Sequence, residues 1–162
     1  MSVTFSLLEM LDYSDHERGK WKAWIAADPA RLAVTFQPGG RFPTVAALLD
    51  HVFLVERRHL SRLEGGTPPD ATGVAAGDWQ GLFEYAELVR ADFRAYVTET
   101  TDASASETIT FTVQTGAFTL TRRKLAMHIV AHEMRHLAQL AFAARLAGHE
   151  PPGFHDYMYY PD

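Results

Sequence analysis

The chain is expected to fold as an all-α four-helix bundle with a short β-hairpin before its last long helix. Four long segments carry apolar residues every three or four positions, the period of a helix with one buried face. One short stretch alternates with a period of two, and connections containing Gly and Pro separate the segments. At 162 residues, 47% of them hydrophobic, the chain is long enough for one domain with a substantial core, and 1–162 is read as a single unit.

The first helix is expected from about Phe5 to Ala27, with Leu7, Leu8, Leu11, Trp21, Trp24 and Ile25 as its apolar positions, Thr4 as its cap and Asp28-Pro29 as its stop. After a loop through Gly39-Gly40 and Pro43, a second should begin at Thr44 and run to about Leu63. Its buried stripe is Val45, Leu48, Leu49, Val52, Val55 and Leu63, and Gly65-Gly66 ends it. The stretch Thr67 to Gly77, with Pro68-Pro69, reads as a connection. Asp78 caps a third helix carrying Trp79, Leu82, Phe83, Ala86, Val89, Phe93 and Val97, which is expected to fray into the polar run Thr98 to Glu107. Ile109, Phe111 and Val113, then Phe118 and Leu120, alternate with small or polar residues around Gln114-Thr115-Gly116, the pattern of a hairpin. Such a hairpin is too small to stand alone and should lie on the bundle. The last long helix is expected over Arg122 to Ala147, closed by Gly148 and Pro151-Pro152. Long connections before the later helices allow crossovers instead of simple up-and-down hairpins. Trp21, Trp24 and Trp79 read as core residues, and the aromatic tail Phe154, Tyr157, Tyr159 and Tyr160 as packing on its own bundle, covering a pocket or forming a dimer contact.

A net charge of −5, with basic clusters only at Arg57-Arg58 and Arg122-Arg123-Lys124, argues against a nucleic-acid surface. No segment has the length and apolarity of a membrane span or the layout of a secretory signal, so a cytoplasmic location is expected. The chain has no cysteine, which excludes disulfides and thiol nucleophiles and leaves His, Asp and Glu as the ligands open to a metal.

The histidines point to such a metal. His128, His132 and His136 follow one another at one-turn spacing, and side chains at i and i+4 lie above one another, so His132 and His136 can direct two imidazoles at one point. Leu125, Ile129, His132, His136, Leu140 and Ala143 fall on one side of the helix, which puts the pair on the core stripe. Buried imidazoles without partners cost about 1–3 kcal/mol each, so a pair there calls for a shared partner. Bundle metal sites draw further ligands from facing helices, and the second helix offers His51 and His59. His51 flanks its stripe, and periodicity alone favours His59. His128 suits a ligand or a supporting role equally, while His16, His149 and His155 have no partner at helical spacing and read as surface or loop residues.

The segment His132-Glu133-Met134-Arg135-His136 also matches His-Glu-x-x-His, in which the Glu serves a metallopeptidase as base. The extended form fails, because Gln139 and Phe142 stand where it has Gly and a third His. Glu133 reads instead as an exposed carboxylate or one that supports a ligand.

Taken whole, the chain resembles the DinB/YfiT-like superfamily of metal-binding four-helix bundles. The resemblance rests on His51 within Thr44-Val-Ala-Ala-Leu-Leu-Asp-His51-Val-Phe-Leu-Val-Glu56, on His132 and His136 followed by Gln139, and on Gly148-His-Glu-Pro151-Pro152 before an aromatic tail. It implies His51, His132 and His136 as ligands, a left-handed up-down-down-up connectivity and a homodimer. Many relatives have Arg-Gly where this chain has Leu137-Ala138, so an anion-binding role for that Arg does not carry over. Three neutral histidines leave a divalent ion, zinc or nickel ahead of iron, with open positions for water or substrate, as in catalytic sites. Some similar proteins are thiol-dependent transferases. The expected function is therefore a metal-dependent S-transferase of stress response or detoxification, acting on a small-molecule substrate with a low-molecular-weight thiol. Its rival is a non-catalytic metal-binding or sensing protein.

Overall fold

The computed structural model describes residues 6–35 and 40–161. Helix α1, Leu7–Ala27, starts at Ser6, whose hydroxyl accepts the Glu9 amide while the Glu9 carboxylate accepts the Ser6 amide, a reciprocal cap that satisfies two orphan donors. The cap expected at Thr4 lies outside the described residues. Asp28 ends α1 and its side chain starts a 3₁₀ turn, Pro29–Ala33, favoured by the preset φ of proline at the first position.

Helix α2, Val45–Leu63, is capped by Thr44 and followed by Gly65 at φ +77°, a left-handed conformation that suits glycine. Helix α3, Trp79–Glu99, is capped by Asp78. The following polar run does not simply fray: Thr101 caps a five-residue helix α4, Asp102–Ser106. Its small residues show no apolar period, so a local cap forms a turn that hydrophobic patterning cannot reveal. Strands β1, Thr108–Val113, and β2, Gly116–Thr121, pair antiparallel from Thr108↔Thr121 to Val113↔Gly116. Helix α5, Arg122–Leu146, follows β2 directly, and Thr121 caps it. A 3₁₀ turn at Tyr157–Tyr159 lies in the tail.

Ion pairs and ring contacts reveal the helix directions. Asp12 and Asp15 meet Arg94 while Lys22 meets Glu87, so α1 and α3 are antiparallel. Phe53 packs on Phe83 and Arg57 pairs with Asp92, so α2 and α3 are parallel. Arg122 donates to the Leu63 carbonyl at one end while His51 meets His132 towards the other, so α2 and α5 are antiparallel. The connectivity is up-down-down-up, with α1 and α2 on one diagonal and α3 and α5 on the other.

Two apolar clusters fill the bundle. One holds Trp21, Ile25, Leu49, Phe53, Phe83 and Leu140 with their neighbours, and the other holds Leu11, Leu60, Leu63, Phe93, Leu125 and Ile129. Trp21 and Trp24 are buried, and Trp79 packs partly buried against the first cluster. Between the clusters lies a polar layer with a contribution from every long helix: Ser14 and Arg18 of α1, Glu56 of α2, Arg90 of α3 and Glu133 of α5, all buried. Arg18 bonds Glu56 at 2.6 Å and Glu133 through Nε at 2.8 Å, Arg90 lies 3.0 Å from Glu56 and also bonds Glu133, and the Ser14 hydroxyl donates to Glu133 at 2.5 Å. Two guanidinium and two carboxylate groups balance, as burial of charge requires.

Candidate metal centre

The antiparallel packing of α2 on α5 brings the second turn of α2 opposite the middle of α5, and so His51 to His132 and His136. The Nε2 atoms of His51 and His132 are 3.2 Å apart, and those of His136 and His132 are 3.1 Å apart. All three residues can place one ring nitrogen within 4.8 Å of the others. Donors about 2.0–2.1 Å from a tetrahedral ion stand about 3.3 Å from each other, so the spacing fits a shared divalent ion.

Protons alone satisfy this cluster poorly. One Nε2–H can serve one neighbour, whereas His132 faces two ring nitrogens. Burial, then His136 and the charges of Arg41, Arg58 and Arg135, brings the His51 imidazole down to about 4. Burial and the neighbouring His136, His51 and His128 bring His132 to about 2, and burial also lowers His136. The three rings are therefore neutral at pH 7, the state in which imidazole binds metal. The Gln139 amide oxygen lies 2.6 Å from His136 Nδ1, one turn along the helix. As acceptor it holds the proton on Nδ1 and leaves the Nε2 lone pair free. Phe42, from the loop before α2, stacks on His51 with centroids 4.1 Å apart and meets His136 edge-on.

His59, the residue favoured by periodicity, stands apart from this cluster. It lies two turns beyond His51 on α2, with its ring against His128 at 5.2 Å and against Phe111 of the hairpin at 6.0 Å. The His128 ring is 5.6 Å from that of His132. The apolar stripe of α2 defines a face but not the level at which α5 crosses it, and the crossing selects His51.

The expectation for Glu133 as an exposed or ligand-supporting carboxylate is corrected. Glu133 is 2% exposed, and both its oxygens are taken by Arg18, Arg90 and Ser14 on the bundle axis. Burial alone would push its carboxyl up, but Arg18 and Arg90 outweigh burial and hold it well below the usual carboxylate range. It has no free oxygen to serve as the base that a metallopeptidase needs. A sequence signal existed: Arg18, Glu56 and Arg90 fall among the core positions of their helices, where single charges are rare unless paired.

The other histidines lie elsewhere. His16 is exposed beside Tyr160, His149 meets Trp24 edge-on, and His155 stacks on Trp21 with its Nδ1 2.5 Å from Glu17. The tail follows α1: Tyr13 donates to the His155 carbonyl, Trp24 Nε1 donates to the Glu150 carbonyl at 2.8 Å, and Tyr157 and Tyr160 pack on Tyr13. The bundle itself thus receives the tail. No helix among the described residues is long and apolar enough to cross a membrane.

No curated protein matches the sequence. The sequence profile of the DinB family matches residues 1–162, and the bundle connectivity and histidine cluster agree with it. The chain belongs to the DinB family.

Proposed function

We propose that the chain is a metal-dependent enzyme that joins a low-molecular-weight thiol to an electrophilic small molecule, with His51, His132 and His136 holding a divalent ion, zinc or nickel ahead of iron. The convergence of three neutral imidazole nitrogens on one point supports this reading most directly. A bound ion would act as a Lewis acid that favours the deprotonated form of a thiol sulfur. The chain's own residues do the rest. Gln139 fixes the proton of His136 on Nδ1, and Phe42 and His132 hold the ring of half-buried His51 in place. With no cysteine in the chain, no protein thiol competes with a thiol substrate. In the transfer, the thiolate sulfur forms a bond to the electrophilic carbon, and the electron pair of the broken bond leaves with the displaced group. A homodimer in the cytoplasm, serving detoxification under stress, completes the proposal.

The test is a conjugation assay with a panel of small thiols and an alkylating electrophile, comparing metal-loaded protein with His132→Ala. Turnover that requires both metal and His132 is expected. Metal-linked stabilisation without turnover on any thiol would place the chain among non-catalytic metal-binding or sensing proteins.

A further inference from the structure

The arginines of this chain divide into two sets. Arg18, Arg31, Arg57, Arg90, Arg94, Arg122 and Arg123 each lie within 4.0 Å of a described carboxylate. Arg41, Arg58, Arg62, Arg135 and Arg145 have no such partner among the described residues, although carboxylates outnumber basic groups, 20 to 15. Four of these five stand near the histidines between α2 and α5, with Arg41, Arg58 and Arg135 close enough to act on His51 and Arg62 on His59.

Arg41, Arg58 and Arg62 are held by neutral groups. Arg58 follows His51 by seven residues and Arg62 by eleven, so both lie on the His51 side of α2, one turn from each other. Arg58 donates to the carbonyls of Pro69 and Asp70 at 2.8 and 2.7 Å, which occupies two of its five N–H donors. Arg62 lies over the Phe111 ring at 4.9 Å, and its Nη1 is 3.3 Å from His59 Nδ1. Arg41 lies over Phe42, which itself stacks on His51. Arg135 shares the face of His128, seven residues before it. The acids of these two helices are committed elsewhere: Asp50 accepts from Thr72, and Glu56 and Glu133 belong to the axial layer. The groove between α2 and α5 therefore carries several positive charges without a carboxylate partner among the described residues; Arg58 and Arg62 are partly buried, where such a guanidinium favours an anion from outside, and exposed Arg41 and Arg135 add to the field.

We propose that Arg58, Arg62 and Arg135 bind an anionic group of the substrate, a carboxylate or a phosphate, beside the three histidines. The proposal rests on the reading of that cluster as the metal centre of a small-molecule enzyme, and it names the charge class of the molecule. His59 and His128 line the same stretch of groove as neutral neighbours. Arg41 adds to the field at the outer edge.

The experiment uses metal-stripped full-length protein, so that anion binding is read independently of metal and of turnover. Inorganic phosphate and succinate are titrated separately at low and high salt, with the ring resonances of His59 and His128 and calorimetry as readouts. Saturable binding of at least one anion is expected, weakened by salt, weakened about tenfold in Arg62→Gln and in Arg135→Gln, and unchanged in Arg145→Gln. Preference for phosphate or for succinate assigns the head group. Exposed Arg135→Gln carries the test if circular dichroism shows Arg62→Gln misfolded. Absence of saturable binding with both anions, or equal affinity in Arg135→Gln and Arg145→Gln, overturns the proposal. If anion binding behaves as stated while the conjugation assay fails, the transferase reading falls and the arginine site stands.

Discussion

Two polar clusters sit side by side on α5, one built on His132 and the other on its neighbour Glu133, and they solve burial in opposite ways. The Glu133 cluster gathers Arg18, Glu56, Arg90 and Ser14 into a charge-balanced layer with its partners inside the chain. The His132 cluster gathers His51 and His136, which share a point but have no proton arrangement that satisfies all three nitrogens. A closed cluster separates two apolar cores and fixes how four helices align. An open one leaves room for something the chain does not contain, and three converging imidazoles could hold a divalent ion. The same contrast holds among the arginines: those of the bundle axis are paired with carboxylates, and those of the α2–α5 groove have no carboxylate partner among the described residues.

The largest effect should come from opening the closed cluster. Glu133→Ala leaves Arg18 and Arg90 sharing the single carboxylate of Glu56 in the core and should cost about 3–5 kcal/mol in urea unfolding, because one buried positive charge then lacks its partner. Metal content per folded chain should stay at the wild-type level, since Glu133 faces the axis. Loss of metal with unchanged stability would merge the two clusters.

Acid should separate them next. The folded-state values of His51 and His132, about 4 and about 2, lie below the ordinary 6.5, so the folded metal-free protein binds fewer protons than the unfolded chain. Their stabilising share is complete above about pH 6.5 and falls as pH drops from there towards 4 and below. Glu133, also lowered, loses its share only in the more acidic range below the ordinary carboxylate value of 4.5. Unfolding followed from pH 8 to 4 should show the metal-free protein weakening below pH 6.5, and His132→Ala should flatten that slope. An unchanged slope in the variant would count against burial as the cause.

The smallest effect is expected at the support of the open cluster. Gln139→Leu frees the His136 ring and should weaken metal binding about tenfold, with little change in the stability of the metal-free protein, as competition with a chelator would measure.

Much of the fold was legible because periodicity and caps act locally. Thr44, Asp78, the helix start at Arg122 and the α5 stripe with its two histidines all stand where spacing places them. What was not legible depends on how helices meet. Which of His51 and His59 lies against His132 and His136 turns on the level at which α5 crosses α2, which no single helix encodes; periodicity pointed to His59 and the resemblance to His51, and it is His51 that groups with the pair. Glu133 looked available because its partners come from two other helices, and α4 was missed because a cap and small residues form it without an apolar face.

The most direct measurement is elemental analysis of protein purified without a metal-affinity tag, repeated for His51→Ala and His59→Ala. The wild type should hold about one divalent ion per chain, as one converging set of donors allows. His51→Ala should lose it, while His59→Ala should keep it. Retention of metal in His51→Ala, or its loss in His59→Ala alone, would contradict the three-histidine centre.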